Sequence, residues 1–303
     1  MTSKKTLITI IGPTAIGKTA LSIQLANYFK TEIISCDSRQ FYKEMSIGTA
    51  VPEVEELKAA KHHFIQSRSI FDDYNVGQFE KDALLKIDEL FKKHDVLILV
   101  GGSGLYVDAV LKGLDYFPKV SPEIRENLNQ QLEKEGIESL QNKLKELDLE
   151  TYNSIAIDNP QRLIRALEVC IGSGIPYATF KNKPKTPRNF NSIKIGLNAD
   201  REIIYDRINQ RVHIMVEKGL IEEAKNLHQH KKLNALQTVG YRELFSYFDN
   251  DFTLDFAISE IKKNTRRFAK RQLTWFRKDH ETYWFDYNID FNKIIEKISS
   301  HIK

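Results

Sequence analysis

Eight residues near the start of the chain carry the clearest chemical signal. Gly12, Pro13, Thr14, Ala15, Ile16, Gly17, Lys18 and Thr19 match G-x-x-x-x-G-K-[ST] in full. Successive backbone N–H groups in such a loop point at a phosphate, and the following helix adds the positive end of its dipole. Lys18 is placed to reach the terminal phosphates and the Thr19 hydroxyl to hold Mg²⁺. The motif makes ATP-binding a formal expectation, but it specifies only a phosphate chain. Asp37 is the second chemical group. It follows Glu32-Ile33-Ile34-Ser35-Cys36 and is predicted to sit at the C-terminal end of a short buried strand. That end of a parallel sheet faces the ligand crevice. A carboxylate there suits a general base, a helix N-cap or an indirect Mg²⁺ contact.

The third signal is an absence. Asp95 to Val100 reads as a buried strand where a P-loop ATPase carries its magnesium-organising Asp, yet the run ends in Gly101-Gly102-Ser103. That departure handicaps nucleoside triphosphate hydrolysis. The glycines suit a tight backbone approach to a ligand or a neighbouring loop, and Ser103 can donate to a phosphate or a base. The fourth signal is charge. Positions 261–280 hold eight basic residues against one acidic. Lys263, Arg267, Lys270, Arg271, Thr274 and Arg277 recur at helical spacing on one side. Ile261, Thr265, Phe268, Gln272 and Phe276 recur on the other. A basic stripe over a packing face, with Trp275 nearby, is the footprint expected for a phosphate backbone. Arg207 and Arg211 lie one helical turn apart and are either a phosphate clamp or a solvated helix surface; Arg162 and Arg165 also share a face.

The elements that must position these groups are legible from pattern. Thr6 to Ile11 reads as a buried strand, the loop follows, and Ala20 to Ala26 reads as a helix. Glu53 to Ala60 and Phe79 to Lys93 read as helices and Ser192 to Leu197 as a further strand. From Ser121-Pro122 the character changes. Capped, charged helices with narrow apolar stripes follow one another, broken at Gly136 and restarted near Asn159-Pro160. The expected fold is therefore α/β: a P-loop parallel-sheet core with helices on both faces and an inserted all-helical domain. The core is expected over residues 1–118 and 186–303, and the insertion over 119–185. Asp200 opens a long helix, Gln237 to Glu243 reads as a turn with an exposed Tyr241-Arg242 pair, and Tyr283 to Phe285 with a helix from Asn292 completes the core.

Composition narrows the classes. The 303 residues are 41% hydrophobic and 28% charged, with a net charge of +4 that decides nothing about partners. No apolar run approaches the ~18 residues of a membrane span. Lys4-Lys5 before a short apolar run mimics a signal peptide only weakly. Cys36 and Cys170 make neither a disulfide framework nor a metal-ligand spacing, so each is expected to be a small buried hydrophobe in a reducing cytoplasm. His62-His63 are adjacent and lack an H-E-x-x-H pattern, so they are expected to be a satisfied surface or lid pair.

Six stretches together resemble one family, the tRNA dimethylallyltransferases or isopentenylpyrophosphate transferases. They are GPTAIGKT from Gly12, DSRQFY from Asp37, GGSGLY from Gly101, NPQRLIRALE from Asn159, TVGYRE from Thr238 and RRFAKRQLTWFR from Arg266, in family order across most of the chain. The resemblance implies transfer of a dimethylallyl group from dimethylallyl diphosphate, with Mg²⁺, to the exocyclic amine of the adenosine 3′ of the anticodon in tRNA. It implies Asp37, Lys18, Thr19 and Arg207 as the catalytic set. It implies tRNA contacts at Asp37, Ser38, Arg39, Gln40, Ser103 and Arg125; at Gln161, Arg162, Leu163, Ile164 and Arg165; and at Gln237, Thr238, Val239, Gly240, Tyr241 and Arg242. The last group is Lys270, Arg271, Gln272, Leu273, Thr274, Trp275, Phe276 and Arg277. A cytoplasmic monomer is expected. Ile16 stands where the family usually has Ser, which removes one hydroxyl from the loop. Ser103 stands where it usually has Thr and keeps its hydroxyl. Two other readings fit parts of the pattern: a P-loop small-molecule kinase with Asp37 as base, and a nucleotide-gated RNA-binding module. Gly101-Gly102 and the basic stripe speak against the first, Asp37 at the crevice against the second.

Overall fold

Strand β1 (Thr6–Ile11) is buried at every residue. A parallel strand covered on both faces needs apolar side chains throughout rather than an alternation. Its side chains still divide by face: Ile8 and Ile10 join one hydrophobic cluster and Leu7 and Ile11 another. The computed structural model describes residues 5–302, so Lys4 lies outside the described residues. The phosphate loop leads into α1 (Lys18–Phe29), followed by β2 (Ile33–Ser35), α2 (Val54–Ala59), β3 (His62–His63), α3 (Val76–Leu90), β4 (Val96–Val100) and α4 (Gly104–Lys112). Asn75 caps α3, accepting from the Gly77 and Gln78 N–H groups while the Gln78 side chain accepts from Asn75 N. This reciprocal pairing satisfies donors that the helix leaves unpaired.

Two units divide the chain. One runs to Lys112 and resumes at Arg188; the other is Gly113–Pro187. The second unit holds α5 (Pro122–Glu135), α6 (Ile137–Leu147), α7 (Leu149–Ser154) and α8 (Pro160–Ser173). Ser121 and Asn159 cap α5 and α8. Leu128, Leu140, Leu144, Leu163 and Leu167 form its own core. Buried Glu168 in α8 draws in Arg125 at 2.5 Å and also Arg165. The unit begins at Gly113 rather than 119 because the chain entering it already packs there. Phe117 stacks on Tyr177, and Val120 fills the space beside Gly172.

The first unit resumes with β5 (Asn191–Asn198), α9 (Arg201–Glu217), α10 (Leu220–Leu227), α11 (Tyr241–Phe248), α12 (Leu254–Phe276), β6 (Thr282–Asp286) and α13 (Phe291–Ile302). The six strands form one parallel sheet in the order β3-β2-β4-β1-β5-β6. Helices α1, α9 and α13 cover one face, and α3 and α4 cover the other. A further apolar cluster joins α9 to α12, with Val212, Leu220, Leu236, Tyr241, Leu244 and Ile261 at its centre.

Three sequence expectations change. Tyr241 is fully buried; it opens α11 instead of standing exposed in a turn. The basic helix begins at Leu254, not Ile261, because Thr253 caps it by accepting from Phe256 N. His62-His63 form an edge strand paired with β2, and His63 hydrogen-bonds Glu32 at 2.6 Å. Both cysteines are buried and free, as expected.

Arg188 donates to the Val110 and Ala109 carbonyls at 2.8 and 2.7 Å, so the two cut ends of the first unit lie together. Replacing Gly113–Pro187 with a short flexible linker is expected to leave a core that unfolds in one cooperative thermal transition. Loss of that transition would mean that the four helices complete the sheet core.

Candidate active site

The candidate site gathers at the C-terminal ends of β1, β2 and β4, where strand order switches direction. Open parallel sheets bind ligands there. β1 delivers the phosphate loop. Gly12 takes φ +144°, and a Cβ on it would stand 2.5 Å from the Leu197 carbonyl oxygen. Gly17 caps α1 at φ +110°, and Ala15 also takes a positive φ of 65°. A non-glycine residue held there is the sort of strain that clusters at ligand clamps. Ile16 is buried in the sheet core and borders the larger cavity.

Side chains distant in sequence grip the loop. Arg207 Nε donates to the Ala15 carbonyl at 2.8 Å, and Arg211 Nη1 reaches Thr14 Oγ1 at 3.5 Å. Arg207 also lies over the Tyr287 ring. Gln272 on α12 accepts from Thr14 N at 2.9 Å and donates to the Gly102 carbonyl at 2.9 Å. Lys18 Nζ donates to the Pro13 carbonyl at 2.7 Å. Burial lowers the Lys18 pKa from 10.5 to about 8; Asp37 opposes the shift and Arg211 adds to it. Arg211 is likewise pushed down, by burial first and by Arg207 second. Three cations thus converge on one loop, opposed by Asp37 at Lys18 and by Glu56 and Asp37 at Arg211.

Asp37 follows β2. Its Oδ1 accepts Arg39 N at 3.0 Å, and the residues after it form a turn, not a helix, so the N-cap alternative falls away. Two cavities of about 500 and 800 Å³ meet at Asp37, sharing Thr14, Thr49, Ala50, Arg211, Met215, Phe268 and Gln272. The larger contains Lys18, Thr19 and Arg207; the smaller contains Ser38, Ser103, Thr238, Arg242, Arg271 and Trp275. Together they form one channel with a cationic phosphate end and a mixed polar and aromatic end. The glycines after β4 serve neighbouring protein: a Cβ on Gly101 would meet Cys36 Sγ at 2.5 Å, and one on Gly102 would meet Gln272 Nε2 at 2.2 Å.

The other expected contacts divide by exposure. Lys270, Arg271, Thr274, Trp275 and Arg277 are exposed on α12, while Leu273 is half-buried and Gln272 and Phe276 are buried. Trp275 Nε1 donates to Asp108 Oδ2 at 2.8 Å. Phe268 was expected on the packing face, yet it is 38% exposed and borders both cavities. Gln237 and Arg242 are exposed, Thr238 and Val239 half-buried, and Gly240 buried. Ser103 Oγ accepts Ser38 N at 3.1 Å. Arg39 is tied to the Asn234 and Ala235 carbonyls and Gln40 to those of Thr49 and Ala50. In the helical unit Gln161, Arg162 and Arg125 are exposed and Arg165 half-buried. Leu163 and Ile164 are core residues. The buried side chains Leu163, Ile164, Tyr241, Gln272 and Phe276 are correspondingly closed to a surface polyanion; they hold their exposed neighbours in place. Sequence reasoning left Arg207 and Arg211 open as a phosphate clamp but put only Arg207 in the catalytic set; the structure brings both to the loop. That reasoning also missed Met215 and Asp108, which carry no motif.

Comparison with known proteins gives the family. The family described as IPP transferase matches residues 40–279. The chain is 64% identical to the tRNA dimethylallyltransferase of Flavobacterium johnsoniae over 99% of both chains, and 47% identical to tRNA dimethylallyltransferase 1 of Bacteroides fragilis over 93% of both. It is similar in structure to the tRNA isopentenylpyrophosphate transferase of Bacillus halodurans, with a TM-score of 0.72, 38% identity and coverage of 99% and 96% of the two chains. A eukaryotic dimethylallyltransferase acting on tRNA gives a TM-score of 0.80 at 25% identity, over 98% of this chain and 77% of the other.

The lowered pKa of Lys18 gives the site a pH signature. A diphosphate binds the ammonium form, so its affinity is complete below about pH 8 and falls as pH rises through that value. Calorimetric titration with pyrophosphate across this range is expected to show the decline. Lys18→Arg, whose guanidinium stays charged, is expected to remove the protein's share of it. An identical decline in both proteins would mean that a protein group other than Lys18 titrates.

Proposed function

This chain belongs to the IPP transferase family, and we propose that its channel carries out prenyl transfer as follows. It is a transferase acting on tRNA. The donor, dimethylallyl diphosphate, lies with its diphosphate on the phosphate loop and its apolar group toward the junction of the two cavities. The acceptor, the adenosine 3′ of the anticodon, leaves its stack and enters from the side of Ser103 and Trp275. In a loop already unpaired that costs at most a few kcal/mol. The amine nitrogen attacks the donor's terminal carbon, forming the C–N bond. The C–O bond breaks, and diphosphate leaves with the electron pair. Asp37 accepts the amine proton, which offsets the poor nucleophilicity of a lone pair delocalised into the ring.

Lys18, Arg207 and Arg211 stabilise charge that grows on the diphosphate as the C–O bond breaks. Preorganised donors of this kind are typically worth ~10²–10³ each in rate. Among the described residues no group of three or more His, Cys, Asp or Glu could hold a metal ion. Thr19 borders the phosphate end of the channel, and its hydroxyl with the diphosphate oxygens suits Mg²⁺, a hard cation that often binds through substrate phosphates. When bound, Mg²⁺ supplies charge neutralisation to the leaving group. On this reading the enzyme works in the cytoplasm with its tRNA; no helix of the described residues is long and apolar enough to cross a membrane.

One observation carries the proposal: Asp37 lies where the phosphate end of the channel meets its base-sized end. Radiolabelled dimethylallyl diphosphate and ATP, tested side by side with tRNA, decide between carbon and phosphorus chemistry. Label is expected to pass from the prenyl donor to tRNA, and ATP to show no tRNA-stimulated loss of phosphate. The reverse pattern would restore a kinase. Asp37→Asn is expected to lower kcat by ~10²–10⁴ with donor and tRNA affinities changed much less; near-normal turnover would remove Asp37 as the base.

The exposed stripe on α12 generates a binding test. Changing Lys270 and Arg271 together to Ala is expected to weaken tRNA affinity. The slope of log K against log salt should fall by roughly 1.4–1.8 if two phosphate contacts are lost. An unchanged slope and affinity would mean that the stripe is merely solvated.

A further inference from the structure

The channel wall between the donor and acceptor cavities is a loop held in part by its own turns, Ala50 N donating to the Ile47 carbonyl and Val51 N to the Ser46 carbonyl, each at 3.0 Å, and in part from outside. Thr49 and Ala50 border both cavities, and Ala50 takes a positive φ of 51°. The three residues before them are fixed by one side chain from another element. Glu223, on α10, accepts Ser46 N at 2.9 Å and Ile47 N at 2.8 Å on Oε2, and Gly48 N at 2.8 Å on Oε1. The same Oε1 accepts the Tyr241 hydroxyl at 2.7 Å. Tyr241 is fully buried, and burial followed by the neighbouring Glu223 raises its pKa, so the hydroxyl stays a donor. Its ring lies against Gly48 so closely that a Cβ there would stand 2.6 Å away. From the other side Gln40 Nε2 holds the Thr49 and Ala50 carbonyls, and Gln40 N donates to the Asp37 carbonyl at 3.2 Å.

We propose that Glu223 and Tyr241 are a positioning pair for the acceptor, fixing the Thr49–Ala50 wall against which the base is presented to Asp37. Four hydrogen bonds converge on one carboxylate, and bonds to a charged acceptor are the strong kind. The pair touches no reacting atom. It acts through the loop, so its effect falls on the geometry of attack. The diphosphate is held by Lys18, Arg207 and Arg211, none of which contributes to these four bonds, so donor binding is largely independent of the pair. The inference rests on reading the channel as a prenyl-transfer site.

The test uses the full chain with three variants, dimethylallyl diphosphate and tRNA. Glu223→Gln turns an acceptor oxygen into an N–H₂ group facing backbone donors. Gly48→Ala drives a methyl group into the Tyr241 ring. Both move the same wall, and both are expected to lower kcat/KM for tRNA by roughly 10–100-fold, the scale of a misplaced reacting group. Dimethylallyl diphosphate affinity, measured without tRNA, is expected to stay within about threefold of wild type, because its anchoring hydrogen bonds are untouched. Tyr241→Phe removes one bond of the four and is expected to cost about fivefold in kcat/KM; it keeps the ring and decides the matter should the other two fail to fold. Amide hydrogen exchange at Ser46, Ile47 and Gly48 reads the wall without turnover and is expected to quicken in each variant. Folded variants with unchanged kcat/KM for tRNA, with donor affinity falling in step, or with unchanged exchange would reduce the pair to scaffolding. Absence of prenyl transfer by the wild type, with faster exchange in the variants, would overturn the assigned reaction and with it the acceptor role.

Discussion

Cation crowding is the constraint on which the site depends. Lys18, Arg207 and Arg211 converge on a loop of eight residues, and burial lowers the pKa of Lys18 and of Arg211. Such an arrangement is unfavourable by itself and favourable around a polyanion, because a low-dielectric cradle strengthens attraction as much as repulsion. The loop's carbonyls hold two of the cations through Pro13 and Ala15. Asp37 and Glu56 supply the opposing charge. Much of the fold can be understood as scaffolding for this cluster: the sheet presents the loop, α9 delivers both arginines, and α12 closes the far side through Gln272.

The position of Gln272 joins two functions on one helix. Its neighbours Lys270 and Arg271 are exposed and basic, while its own side chain ties Thr14 of the phosphate loop to Gly102 at the end of β4. A Cβ on Gly102 would push the Gln272 amide out of this bridge. A carboxylate in the ATPase position after β4 would stand among these contacts. Its replacement by Gly101-Gly102 is therefore a packing requirement as well as a chemical one, because Cys36 and Gln272 fill the space.

The sheet core was legible because its signals are local. β-branched runs, Gly12 and Gly17 at fixed spacing, Ser121 and Asn159 at helix starts, and Asp37 at a strand end each state their role within a few residues. The cluster spanning α9 to α12 was not, because the two 8-residue helices between them, α10 and α11, find their place only through long-range packing. Tyr241 is the sharpest case. Beside Arg242 in a glycine-bounded stretch it reads as exposed, and only the tertiary contacts with Gly48 and Glu223 bury it. Phe268 errs in the other direction: helical spacing puts it with Ile261 and Gln272, but the channel opens beneath it. Glu223 gives no signal at all, since an ordinary helical glutamate becomes an anchor only when a distant loop turns three N–H groups toward it.

These features explain how a loop type associated with phosphoryl transfer can serve carbon chemistry. A phosphate loop stabilises charge on phosphate oxygens and is indifferent to which bond breaks. Attack at phosphorus needs a nucleophile in line with the bound phosphate and a carboxylate to organise the metal. Here Glu53 and Glu56 border only the phosphate end, while Asp37 stands at the junction with a second cavity, bonded to its own turn through Arg39 N. A group arriving from that cavity meets Asp37 and the outer end of the donor before it meets the phosphates. On the proposed reading, this geometry makes the diphosphate the leaving group and gives the carbon that bears it to the acceptor. The choice of reaction lies in where the second cavity joins the first, more than in the loop itself.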